Sequence, residues 1–170
     1  CSEISSFLIE NKIDVKSDEI STFSSIKEVE ILVRCLALKT DPKNKDHIKE
    51  ILKYFAHVSR IDEKYSFIHG NINNKVEVIF SKILGLDFMS FYNCSDYESV
   101  VYLIKNTKLF DTNLLYIQFL LDEILNHELS SYYKKESFYT YWNKKKEKLK
   151  ATFTNETNSV NVLTIHKAKG

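Results

Sequence analysis

The sequence has few of the residues that break regular structure: 3 glycines and 1 proline in 170 residues. A Walker A phosphate-binding loop needs two glycines at a fixed spacing followed by lysine. The glycines stand at positions 70, 85 and 170, so the chain has no such loop. All-β sandwiches and barrels use Gly and Pro in many tight turns. The scarcity of both residues therefore argues against that fold class.

The sequence also has few features of secreted, metal-binding or membrane-spanning chains. Cys1, Cys35 and Cys94 are odd in number and widely spaced, so they match neither a disulfide framework nor a zinc-ligand pattern. His47 and His57 have no HExxH pattern around them, and we expect no metal site. We find no apolar run long enough to span a bilayer and no signal-peptide leader. We therefore expect a cytoplasmic protein without a membrane partner.

What remains is the composition of an ordinary globular domain. Hydrophobic residues make up 44% and charged residues 28%, which suffices for a core and a solvated surface. The length fits one domain, or a small domain with pieces of another. The net charge is only +1, so any attraction to nucleic acid must come from a local patch.

Apolar residues recur at helical spacing through most of the chain, and cap residues predict where the helices start. Ser25 with Glu28, and Ser95 with Glu98, have the spacing of a capping box. Asp46 is a third predicted cap. The first of these helices is predicted to bury one face, which consists of Val29, Leu32, Val33 and Leu36.

Other residues predict where helices end and where loops lie. Pro42 stops the first helix, and Gly85 ends a later one. Residues 59–74 have no clear period and predict a loop. A start at Asp111 or Thr112 opens the most strongly patterned helix, whose predicted buried residues are Leu114, Ile117, Leu121 and Leu125. A last helix is predicted over residues 137–150.

The two ends of the chain are different in character. Ile13 and Val15 alternate with polar residues, and residues 160–165 form a β-branched run after a polar linker at 152–159. The sequence therefore predicts a mainly α fold: a helical domain inserted into a sheet-containing domain whose strands remain at both ends.

Two segments carry groups suited to phosphate. After the predicted C-terminal strand come a hydroxyl, an imidazole, ammonium groups and a glycine, at Thr164, His166, Lys167, Lys169 and Gly170. The alternative is a strand followed by a solvated basic turn.

The second segment is the densest basic run, formed by Lys144, Lys145, Lys146, Lys148 and Lys150. The neighbouring Tyr139, Tyr141 and Trp142 suggest phosphate contacts beside a stacking platform for bases. The alternative is a solvated face without a ligand.

The stretch VNVLTIHKAKG at 160–170 resembles motif V of the UvrD/RecB-like superfamily 1 DNA helicases. YIQFLLDEIL at 116–125 and FYTYWNKKKEKL at 138–149 resemble the helices before motif V in AddA/RecB-type helicase–nucleases. Residues 11–44 resemble the stretch that follows motif IV and enters the inserted 2B domain. The resemblance covers nearly the whole chain and is most specific at 164–170.

The resemblance implies a domain organisation. Residues 1–22 would be a remnant of the RecA-like 2A domain after motif IV, and 23–151 a helical 2B-like domain. Residues 152–170 would be a linker, a 2A strand and motif V. The chain would then be an excised fragment of the helicase.

The resemblance also implies roles for single residues. Thr164 would contact a phosphate of the single-stranded DNA track, and His166 would connect that track to the ATP site. Lys169 and Gly170 would lie near the nucleotide. ATP and Mg²⁺ belong to the parent helicase; the chain holds no cofactor of its own, and without Walker A and Walker B motifs it should be inactive alone.

The implied function is part of an ATP-dependent DNA helicase of double-strand break repair and recombination, in the manner of exodeoxyribonuclease V. Its DNA partners would be single strands and duplex junctions, contacted through Thr164, His166 and the lysines Lys144, Lys145, Lys146 and Lys148. A plain UvrD/PcrA-type repair helicase is the nearest alternative. An alternative of another class is a helical docking module for an AddB/RecC-like partner subunit, with no direct DNA contact.

Overall fold

The structure is a computed structural model that describes residues 26–131 and 136–146, together with the backbone of two short strands. It is mainly helical, which confirms the predicted fold class at that level. The elements are β1 (Val15–Ser17), α1 (Lys27–Thr40), α2 (Lys45–Val58), α3 (Lys64–Asn71), α4 (Val76–Ile79) with a π-helical turn (Phe80–Leu84), α5 (Phe88–Tyr92), α6 (Asp96–Asn106), α7 (Leu114–Ser131), α8 (Phe138–Lys145) and β2 (Val160–Val162).

Helix α1 lies at the centre of the helical body and packs against α2, α6, α7 and α8. The sequence predicts one buried face, but α1 is buried almost all round, as expected of a helix enclosed by others. Its thiol Cys35 is 1% exposed, and burial raises the pKa of this thiol to about 12. The buried residues of α1 are Val29, Ile31, Leu32, Val33, Cys35, Leu36, Ala37 and Leu38.

The end of α1 is fastened to the start of α6 by a half-buried lysine. Lys39 Nζ donates to the Cys94 carbonyl at 2.7 Å, to Asp96 Oδ1 at 3.0 Å and to Ser99 Oγ at 3.0 Å. All three ammonium protons therefore have an acceptor. This contact joins segments 55 residues or more apart in the chain.

Two predicted helix boundaries are confirmed, and one predicted cap is wrong. Ser95 and Glu98 form a reciprocal capping box at α6, and Gly85 ends the π-helical turn with φ +69°. At α2 the cap is Asn44, whose side-chain oxygen accepts from the amides of Asp46 and of the next residue. Asn44 and Asp46 are both good caps, and the turn after Pro42 places Asn44 in the extended conformation that a cap requires.

The predicted cap at the start of α1 is also wrong. The cap residue is Ile26, which offers no side-chain acceptor, and Ser25 lies outside the described residues. Glu28 instead accepts hydrogen bonds from Thr112 Oγ1 at 2.6 Å and Asn113 Nδ2 at 2.9 Å. Glu28 therefore has partners that are distant in sequence, which the capping-box spacing does not predict.

The loop predicted for residues 59–74 is wrong, because α3 lies within it. No residue of α3 is fully buried. A helix without a buried face needs no periodic apolar residues, and that period is the signal by which a helix is identified in a sequence. It packs on α2, where the rings of Phe55 and Phe67 stack with centroids 5.9 Å apart. The short helix α5 was likewise not predicted.

Helix α7 starts at Leu114, beyond the predicted Asp111 or Thr112, and its buried face is rotated from the predicted one. Leu114 is 60% exposed and Leu125 44% exposed. The buried apolar residues of α7 are Ile117, Leu120, Leu121 and Ile124, and His127 is buried as well. Helix α8 ends at Lys145, and residues 147–150 of the predicted helix lie outside the described part of the chain.

The strands β1 and β2 pair in parallel, with Val15 opposite Val160 and Ser17 opposite Val162. All the described helices lie between them in sequence. The chain therefore leaves one strand, builds the helical body and returns to the adjacent strand.

Candidate nucleic-acid interface

The lysine run begins in the last turn of α8. Ser137 caps the helix by accepting from the Thr140 amide, and Phe138 and Trp142 turn one face of α8 into the core. Lys144 and Lys145 then fall at the C-terminal end, where the helix dipole favours cations.

Carboxylates neutralise two lysines of this run. Lys144 pairs with Glu136 at 2.5 Å. Lys145 Nζ donates to Glu123 at 2.8 Å and to the Tyr141 hydroxyl at 2.7 Å, and that hydroxyl in turn donates to Glu123. The hydrogen bonds to Glu123 and Tyr141 raise the pKa of Lys145. Much of the positive charge predicted here therefore has a partner within the protein.

Lys146 differs from its neighbours, because the described residues offer it no carboxylate partner. It lines a cavity of about 230 Å³ between α1 and α8, which we call the α1–α8 cavity. The cavity brings a second cation, Arg34, close to the lysine run. Its lining residues are Glu30, Val33, Arg34, Tyr139, Trp142, Asn143 and Lys146.

Arg34, which lines this cavity, is held in a hydrogen-bond network. Its Nε donates to Glu30 Oε1 at 2.8 Å, and its Nη1 lies 3.3 Å from Nδ1 of the buried His47. Arginine only donates, so Nδ1 of His47 must accept and carry no proton. Burial, and then the charge of Arg34, lower the pKa of His47. His47 is therefore neutral in the folded protein at pH 7.

Glu30 compensates for the positive charge of this network. Burial alone would raise the pKa of Glu30, but hydrogen bonds from Lys27 and Arg34 outweigh it, and the pKa is lowered. The carboxylate therefore stays ionised and offsets part of the positive charge of the α1–α8 cavity.

Trp142 does not fit the predicted stacking platform for bases, because it is buried. Trp142 is 3% exposed and packs on Phe138, with ring centroids 5.9 Å apart. The hydroxyl of Tyr141 is engaged by Glu123, and the ring of Tyr139 meets His47 edge-on at 4.7 Å. The four-residue spacing of Phe138 and Trp142 places both on the core side of α8, so these rings stabilise the fold.

The remaining predicted site residues lie outside the described residues. These are Lys148, Thr164, His166, Lys169 and Gly170. Sequence reasoning in turn missed Arg34, although Glu30 and Arg34 have the i, i+4 spacing of a helical ion pair.

The described part of the interface offers positive charge rather than a reactive group. Within residues 26–131 and 136–146, no cluster of His, Cys, Asp and Glu side chains could hold a metal ion. None of the helices described there is long and apolar enough to cross a membrane.

Comparison of the chain with protein-family models, curated proteins and solved structures found no match.

Proposed function

We propose that the chain is the helical, 2B-like domain of an AddA/RecB-type superfamily 1 DNA helicase, flanked by strands of its RecA-like 2A domain. The observation that supports this best is the parallel pairing of β1 with β2. A helical domain inserted into a sheet must leave from one strand and return to another strand of that sheet. The resemblance of residues 160–170 to motif V supplies the family.

In this proposal the domain acts on a DNA junction in the cytoplasm. Motif V, with Thr164, His166, Lys169 and Gly170, couples ATP hydrolysis to movement along the single strand. ATP and Mg²⁺ are held by Walker motifs, which this sequence does not contain. The process served is double-strand break repair.

The lysines that contact the DNA backbone in this proposal are Lys144 and Lys146. Lys144 is 68% exposed, so its ion pair with Glu136 contributes little and a phosphate can replace the carboxylate. Lys146 has no carboxylate partner among the described residues. Lys145 is held by Glu123 and Tyr141 and serves the fold.

The test is the anisotropy of a fluorescent fork, with duplex and single-stranded arms, titrated with the 170-residue chain at about 50 and 200 mM salt. We expect affinity to fall steeply with salt, because each neutralised phosphate releases counterions. Lys144→Glu with Lys146→Glu should weaken binding. The matched control is Lys108→Glu, an exposed lysine in the turn before α7. Absence of binding at the lower salt contradicts a DNA role for this domain.

A second candidate function, docking of an AddB/RecC-like partner subunit, is favoured by exposed leucines on α7. Leu114, Leu115, Leu125 and Leu129 are 44–73% exposed. At 100° per residue they fall within one stripe of the helix, with Gln118 and Asp122 between them. Association that resists salt and is lost in Leu125→Ser/Leu129→Ser would select this function over the first.

A further inference from the structure

A second basic concavity lies away from α8, between the start of α2 and the turn that precedes α4. This cavity of about 500 Å³, the α2–α4 pocket, is within the size range of small-ligand sites. Its walls are formed by residues just before and just after the start of α2 and by the turn after α3. The charged and amide side chains that line it are Lys43, Lys45, Asn73, Asn74, Lys75 and Glu77.

The charge of the α2–α4 pocket is strongly one-sided. Lys43, Lys45 and Lys75 line it, against the single carboxylate of Glu77. None of these lysines forms an ion pair with a carboxylate among the described residues, whereas Lys144 and Lys145 both do. Three ammonium groups without counter-ions repel one another, and an anion in the pocket would relieve that repulsion.

One lysine of the pocket is already held in position. Lys45 Nζ donates to Asn73 Oδ1 at 2.7 Å, across the gap between α2 and the turn after α3. Because this contact uses the amide oxygen, the Asn73 NH₂ group remains available as a donor. Lys45 keeps two further protons for a ligand.

The pocket stands on a rigid apolar base. Ile48 and Val76 line it and are each 3% exposed, so both flanking helices are anchored in the core. The dipole of α2 adds partial positive charge at its N-terminus. The amides of Asp46 and His47 already donate to Asn44, so side chains must supply the hydrogen bonds to a ligand.

We propose that the α2–α4 pocket binds a phosphate group through Lys43, Lys45 and Lys75, with Asn73 as an additional donor. Lysine is a point charge with freely directed protons, and three of them around a cavity suit a tetrahedral, multiply charged anion. A planar carboxylate is matched better by the fork of an arginine, which this pocket does not contain. The phosphate can belong to a free anion or to a nucleic-acid backbone.

The experiment is a titration of the ¹⁵N-labelled 170-residue chain with inorganic phosphate, followed by amide chemical shifts. Potassium chloride at equal ionic strength is the reference. We expect saturable shifts confined to residues 43–48 and 72–77. The double variant Lys43→Gln/Lys75→Gln keeps the contact between Lys45 and Asn73 and should bind phosphate at least about tenfold more weakly, since it loses two charge-assisted hydrogen bonds. Lys108→Gln is the matched control and should bind as the wild type does.

Two results overturn the proposal: no saturable shift at millimolar phosphate, or equal phosphate affinity in the double variant and the wild type. A second arm with a short oligothymidylate identifies the source of the phosphate. Saturation at much lower concentration than inorganic phosphate, at the same amides, assigns the pocket to a nucleic-acid backbone. Phosphate shifts without oligothymidylate shifts assign it to a free anion.

This inference stands apart from the helicase proposal. Fork binding that depends on Lys144 and Lys146 can fail while the pocket still binds phosphate. Conversely, the pocket can fail to bind phosphate while the chain still binds the fork, so the two proposals are tested separately.

Discussion

Two groups of lysines lie in this molecule, and their surroundings differ. Lys144 and Lys145, at the end of α8, belong to the dense basic run, yet Glu136 and Glu123 pair with them. Lys43 and Lys75 are far apart in sequence, yet they line one pocket and have no carboxylate partner among the described residues. Among the described residues, two lysines of the densest basic segment are therefore neutralised by carboxylates, whereas the pocket lysines are not.

The difference follows from what each group packs against. Helix α8 lies against α1 and α7, and the half-buried Glu123 of α7 takes Lys145 as its partner because burying an unpaired charge is costly. The pocket lysines stand on turns and helix starts, and only Glu77 among its lining residues is acidic. The charge of Lys145 contributes to folding, whereas the charges of the pocket lysines are available to a ligand.

The largest expected effect concerns the aromatic residues of the α8 region. Trp142→Ala should lower the free energy of unfolding by about 3–5 kcal/mol, because it leaves a cavity in the core. Denaturant unfolding followed by circular dichroism measures this. The control is Tyr65→Ala: Tyr65 is 91% exposed, and its loss should change stability by less than about 0.5 kcal/mol. If Trp142→Ala changed the free energy of unfolding only slightly, Trp142 would again be a candidate for stacking on bases.

The next effect separates a lysine of the α8 run that is neutralised by a carboxylate from a neighbour that has no carboxylate partner among the described residues. Lys145→Gln should destabilise the fold by about 0.5–1 kcal/mol, since it loses the contacts with Glu123 and Tyr141 at a partly exposed site. A double-mutant cycle with Glu123→Gln should show most of this as coupling energy. Lys146→Gln is the neighbouring control, with no expected coupling to Glu123. Equal effects of Lys145 and Lys146 would contradict the distinction.

His47, which lies on α2 and contacts Arg34 of the α1–α8 cavity, should make stability depend on pH. Its pKa is lowered in the fold, so the neutral form is favoured there, and the unfolded chain binds more protons as the pH falls below 6.5. The contribution of neutral His47 to the free energy of unfolding is therefore fully present above pH 6.5. It decreases below that pH by less than about 1.4 kcal/mol per pH unit.

The measurement is urea unfolding of the wild type and His47→Gln across this range. Glutamine can still accept from Arg34 but does not titrate, so its curve should be flatter above the range in which carboxylates titrate. Parallel pH profiles of the two proteins would show that His47 is not the group responsible.

The smallest expected effect is at the α2–α4 pocket. Lys43→Gln/Lys75→Gln should leave the free energy of unfolding within about 0.5 kcal/mol of the wild type, or raise it slightly by relieving repulsion. Thermal or denaturant unfolding in a phosphate-free buffer checks this, with Lys108→Gln as the reference. A loss comparable to that of Lys145→Gln would mean that these lysines stabilise the fold.

Local signals of the sequence predicted the elements whose causes are local. The capping box of Ser95 and Glu98 and the left-handed Gly85 involve residues close together in the chain, and both are present in the structure. Helix α3 could not be predicted in this way, because its support comes from packing on α2. The tertiary contacts of Glu28 and the burial of Trp142 were missed for the same reason, since both depend on segments distant in the chain.

The sequence by itself determined that this chain is mainly helical, that several of its helices begin and end at given residues, and that its ends carry strand-forming segments. These properties follow from apolar periodicity, caps and β-branched runs, which act over a few residues. Only the tertiary structure decided which face of α7 is buried, which lysines are neutralised and which converge on a pocket. Those outcomes depend on which side chains of distant segments come into contact, and the spacing of residues along the sequence does not specify those contacts.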